Sequence, residues 1–245
     1  VADAANADRK GIKKNMKTCP RIAAGLAALL LVAGCYGRTS EKPAQIIYRF
    51  DDHRYLEIVG FYCQGALNYV DTKRGIKSEI ASQFYRAFSE KYIHPSERYI
   101  VIPDWDGGAF IVSKDYGQTW QTAPISGDYA PSSKDAKSLT VVNDRGYFLA
   151  KDRRLYVSSA PFDDLRIMPG GSGIDFIVDG EKDTLLPGSS GPEWGLMFIK
   201  QNDINKLIYK HLSNWQNFPQ KVPEVINYQG WDHMKCNPSL GLEEK

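Results

Sequence analysis

Residues 138–159 read SLTVVNDRGYFLAKDRRLYVSS, and this stretch decides the fold class. It holds three short runs, 138–143, 147–151 and 155–159, rich in β-branched and aromatic residues. Asn143-Asp144-Arg145-Gly146 and Asp152-Arg153 separate them, and both carry the residue types that tight turns demand. Three strands joined by two turns make a meander. Runs of the same kind recur at 46–50, 55–60, 66–70, 99–103, 109–113, 196–200 and 206–209. Only 78–92 has helical spacing, with Ile80, Phe84, Ala87 and Phe88 on one face, and an extended reading fits it equally well. The pattern predicts an all-β body.

A weak repeat refines that expectation. Trp120-Gln121-Thr122-Ala123-Pro124 and Trp215-Gln216-Asn217-Phe218-Pro219 share W-Q-x-x-P. Leu165-Arg166-Ile167-Met168-Pro169 keeps the apolar residue and the proline. Spacings of roughly 40–50 residues with several strands per unit are a propeller signature. Ser113, Asp115, Gly117, Thr119 and Trp120 also form S-x-D-x-G-x-T-W. This resembles the Asp box, a structural turn of sialidase-like propeller blades. The expected fold is a small or irregular β-propeller of about four to five blades; a β-sandwich is the alternative.

The first residues carry an address. Residues 22–34 are apolar or small, follow the basic Lys17 and Arg21, and end in Leu31-Val32-Ala33-Gly34-Cys35. That order is a secretory signal with a lipobox, in which Cys35 takes the lipid. The run rises about 20 Å as a helix, too short to span about 30 Å of hydrocarbon. The organisation expected is an upstream extension or mis-assigned start (1–15), a signal peptide (16–34), a lipidated linker (35–45), one β domain (46–238) and a C-terminal tail (239–245). Tyr36, not Asp, follows the lipidated cysteine, which points to the periplasmic face of the outer membrane.

Charge and cysteines fit that compartment. The net charge is +2, but the first 35 residues hold six basic and two acidic side chains, leaving 25 basic against 27 acidic. No basic footprint for nucleic acid remains. With Cys19 in the signal and Cys35 lipidated, Cys63 and Cys236 are left, and an oxidising periplasm favours their disulfide.

No catalytic constellation emerges. Gly170-Gly171-Ser172-Gly173 and Gly188-Ser189-Ser190-Gly191 miss the spacing of a nucleophile elbow and read as turns. His53, His94, His211 and His233 fall in no metal or triad pattern. Asp104-Trp105-Asp106-Gly107-Gly108 opens like a calcium loop but lacks its further ligands. Asp51-Asp52-His53-Arg54 reads as a polar strand connection. No cofactor or metal is expected.

The strings YRFDDHRYLEIVGFYCQGALNYVDTKRGIKSEI (48–80) and HPSERYIVIPDWDGGAFIVSKDYGQTW (94–120) resemble the type VI secretion immunity lipoproteins that protect against phospholipase effectors. The resemblance implies a non-enzymatic binder held by its lipid at the membrane. Its partner would be a cognate phospholipase, blocked by occlusion of the active site. A binder needs exposed side chains on rigid turns. Asp104, Trp105 and Asp106 are the first candidates for effector contact, and Trp231, Asp232 and His233 the second. The alternatives are a glycan-binding or sialidase-like propeller and a structural envelope lipoprotein.

Overall fold

The β-branched and aromatic runs fold as strands, and where they end is set by turn chemistry. The computed structural model describes residues 41–104, 108–126, 131–159, 166, 169–178, 181–187, 195–200 and 220–242. The first sheet is an antiparallel meander of β1 (Ala44–Arg49), β2 (Arg54–Val59), β3 (Gln64–Asp71) and β4 (Ile76–Arg86), hydrogen-bonded in that order. Along β2 the buried residues alternate, Arg54, Leu56 and Ile58, as a half-buried strand requires. A bulge shifts the β1–β2 register between Ile46 and Tyr48, and Ile47 and Tyr48 are both fully buried although adjacent.

The second sheet holds β5 (Lys91–Ile93), β6 (Ile100–Pro103), β7 (Ala109–Ser113), β8 (Gln121–Ser126), β9 (Ala136–Val142), β10 (Arg145–Ala150), β11 (Leu155–Ser158) and a last strand, Phe198–Lys200. Two strands between them, β12 (Ile174–Val178) and β13 (Glu181–Leu185), form a separate antiparallel hairpin, so Phe198–Lys200 is β14. The eight-stranded order is β5-β9-β10-β11-β14-β8-β7-β6, curled into a half-barrel. The pairs β5/β9 and β14/β8 are parallel and the rest antiparallel.

Residues 138–159 form the meander read from the sequence. Val142 pairs with Arg145, so the turn is Asn143-Asp144, both left-handed at φ 53° and 52°. Two such residues match a tight hairpin turn, where Asn and Asp tolerate the conformation best after glycine. Gly146 pairs with Val141 inside β10 instead of lying in the turn, and a Cβ there would meet the Phe198 ring at 2.6 Å.

One core joins both sheets. Leu56, Leu67 and Tyr69 from the first share a buried cluster with Val101, Phe110, Leu139, Phe148 and Phe198 from the second. The C-terminal segment closes the edges. Trp231 N–H donates to Arg49 O at 2.8 Å, Lys235 N–H to Ile47 O at 2.7 Å, and Asn237 N–H to the Gln45 side-chain Oε1 at 2.8 Å. The segment thus runs antiparallel along edge strand β1. Tyr92 N–H of edge strand β5 donates to Asp232 O at 2.8 Å. Unpaired sheet edges invite aggregation, and this strap covers two of them. The Cys63–Cys236 disulfide fastens it, with Cα atoms 5.9 Å apart across 173 residues of sequence.

The all-β expectation holds, and the ambiguous segment 78–92 is extended, contributing to β4 and β5. Four or five separate blades are not distinguished among the described residues. Of the three repeat copies, only the one beginning at Trp120 is fully described; most of the second, all of the third and the strand expected at 206–209 lie outside the described residues.

Candidate functional site

The most tightly built feature is the turn between β7 and β8. Ser113 Oγ accepts from Gly117 N–H at 2.8 Å and donates to Asp115 Oδ1 at 2.7 Å. Asp115 Oδ1 accepts from Gln118 and Thr119 N–H, and its Oδ2 from Thr119 Oγ1 at 2.6 Å. Burial pushes the Asp115 carboxyl up, but these bonds outweigh it and hold the group below its usual range. Gly117 has φ +87°, and a Cβ there would lie 2.3 Å from Tyr69 Cε1, so both backbone and space require glycine. Trp120 meets Tyr69 edge to face, centroids 5.9 Å apart. The turn therefore docks on β3 and β4 and acts as a structural clamp between the sheets.

The two groups proposed for effector contact fare differently. Asp104 is half-buried and lines a cavity of about 200 Å³ with Arg86, Ala87, Phe88, Pro103 and Lys134 among its walls. Trp105 and Asp106 lie outside the described residues, as does Cys35. Trp231 is partly buried against the core, with Lys235 Nζ 4.5 Å from its ring centre. Asp232 and His233 present their side chains to solvent and pair at 3.1 Å. His233 holds the Asp232 carboxyl below its usual range. Both groups flank one segment: Phe88 lines the Asp104 cavity, and its N–H donates to Met234 Sδ at 3.3 Å.

Other polar clusters are structural. Asp51 Oδ1 accepts from the His53 and Arg54 N–H groups, and Oδ2 pairs with Arg54 Nε at 2.6 Å. Arg54 is only 2% exposed and also donates to Ser96 O at 2.7 Å. His94 Nε2 accepts from Val101 N–H at 3.0 Å, and burial pushes its pKa well down, so it is a neutral acceptor within the core. Asp51, Asp52 and His53 offer ligand atoms within 4.8 Å of one another, but Asp51 is already committed to capping its own turn.

Two exposed aromatics carry no binding signal in the sequence, where Phe84 falls only on the apolar face of segment 78–92. Tyr62 lies in the β2–β3 turn and Phe84 in a bulge of β4. The Gly60…Gly65 bracket around Tyr62 was a legible turn signal. Nothing local announces the Phe84 bulge, because it arises from pairing with β3.

Residues 40–151 match the family model described as T6SS Tli3 immunity protein. That match supports a type VI secretion immunity protein. No curated protein matches the chain. The Tli3 region spans the whole first sheet, the clamp turn, Asp104 and the strands through β10. Trp231, Asp232 and His233 lie beyond it. An immunity protein implies a cognate effector to bind, so an interface is the functional surface this match points to.

Proposed function

We propose that this protein is a lipid-anchored immunity protein of the periplasm that binds a type VI secreted phospholipase and occludes its active site. The Tli3 match over residues 40–151 carries the immunity role. The phospholipase target follows from the family resemblance of residues 48–120, and the anchor from the lipobox ending at Cys35. The architecture suits a binder: two sheets share one core, and a bonded clamp and a disulfide fix the turns that would meet a partner. Tethering at the outer membrane raises the local concentration of inhibitor where a lipase would act. No enzymatic step is needed for this role.

The test is a phospholipase assay on the purified product of the adjoining effector gene, with and without this protein. Stoichiometric loss of lipid hydrolysis is expected. Full hydrolysis in a large excess of folded protein would reject the reading. Cys35→Ser should keep this inhibition in solution yet lower protection of cells under attack; full protection by the unlipidated form would remove the anchor from the mechanism.

A further inference from the structure

Two aromatic side chains stand in water at one end of the first sheet. Tyr62 is 68% exposed and Phe84 is 61% exposed. Gln64 pairs with Arg86 across β3 and β4, and because the strands are antiparallel Tyr62 and Phe84 flank that rung on its two sides along the sheet. Both have left-handed backbones, φ 55° for Tyr62 and 65° for Phe84. For a bulky residue this conformation costs energy, because Cβ crowds the carbonyl oxygen. Rings left mostly in water return little of it on folding. Strain of this kind persists only where the surrounding structure over-determines it, and functional sites are among such places.

The frame explains how both rings are held. Gln64 N–H donates to Phe61 O at 3.0 Å, closing the turn around Tyr62. Gly60 and Gly65 approach so closely that a Cβ on either would meet the other strand's carbonyl at 2.1 Å. Cys63, next to Tyr62, is locked to Cys236. Phe84 is lifted by a bulge: Gly65 pairs with Tyr85 but Leu67 with Ala81, two steps on β3 against four on β4. Ser82, Gln83 and Phe84 are exposed in succession. The chain then passes directly into Arg86–Phe88, the wall of the Asp104 cavity, whose rim also carries Lys134.

We propose that Tyr62 and Phe84, with the adjoining Asp104 cavity, form the surface that docks the secreted effector. The occupant is a folded protein presenting an apolar groove to the two rings and an acidic group to Lys134 at the cavity. This rests on the immunity reading above. Rigid placement favours a protein over a bilayer: a shaped groove rewards rings fixed in advance, whereas lipid accommodates them anywhere. Both aromatics and the cavity also lie within residues 40–151, the matched region.

Glycine variants separate binding from folding. Tyr62→Gly and Phe84→Gly relieve the backbone strain, so the full-length protein should melt no lower than the parent. Each should raise Kd for the purified adjoining effector at least about tenfold, as loss of an interface anchor does. Ile226→Ser, at an exposed apolar residue in the C-terminal segment, should leave Kd unchanged. Parental Kd in both glycine variants would overturn this surface while leaving the immunity role intact. Failure of the parent itself to bind would overturn that role. Unchanged effector binding together with lost association with phosphatidylethanolamine–phosphatidylglycerol vesicles would assign the rings to the membrane and overturn the proposal.

Discussion

The Trp120 indole N–H donates to Ser78 Oγ at 2.9 Å, and so the turn closing β7 and β8 is pinned to β4. Ser78 Oγ in turn donates to Gly117 O at 2.5 Å. One hydroxyl serves both ends of the clamp turn, across 42 residues of sequence.

Ser78→Ala should therefore cost more than one ordinary hydrogen bond. It leaves the indole N–H and the Gly117 carbonyl without this partner. A loss of about 1–3 kcal/mol is expected for partners stranded in a part-buried site. Urea denaturation followed by tryptophan fluorescence measures it. A midpoint equal to the parent's would show that the clamp does not hold the sheets together.

Reduction should loosen the strap over β1 and β5. The Cys63–Cys236 bond constrains a loop of 173 residues, worth about 5 kcal/mol on the chain-entropy account. Melting with and without a strong thiol reductant checks this, and Cys63→Ser with Cys236→Ser should reproduce the reduced curve. Since the strap also covers two sheet edges, the reduced protein should aggregate at lower temperature. Coincident melting curves would mean the backbone bonds to Arg49, Ile47 and Tyr92 suffice.

Acid should weaken the fold through two carboxylates. Burial raises both Asp71 and Asp115, but bonds from Arg74 and from Thr119 and Ser113, respectively, outweigh it and leave each below the normal range. A carboxyl with a depressed folded pKa stabilises the protein above its unfolded value of about 3.9. That contribution is lost as pH falls through the folded values. Stability from these groups should be flat from neutrality to about pH 5 and then decline. Urea midpoints across that range measure the slope, and Asp115→Asn should flatten it. An unchanged slope in that variant would remove Asp115 from the account.

Several features were legible without coordinates. The meander at 138–159 was, since β-branched runs and Asn-Asp turn chemistry are local properties. So was the Cys63–Cys236 pairing, because an expected signal and lipobox set the other two cysteines aside. The spacing of Ser113, Asp115, Gly117 and Thr119 encodes a turn whose hydrogen bonds close within seven residues. Hidden from sequence were the choice of strand over helix at 78–92, the strands β8, β12 and β13, and the burial of Trp231. Each depends on which neighbour supplies the other half of a ladder or a core contact.

The sequence by itself therefore determined the β class, the turns and the covalent cross-link, because propensity, φ preference and thiol chemistry act within a few residues or by elimination. Only the tertiary structure decided that Phe84 projects from a bulge while Tyr85 is buried beside it. That choice is made by the mismatch between β3 and β4, two steps against four, and no single strand contains it.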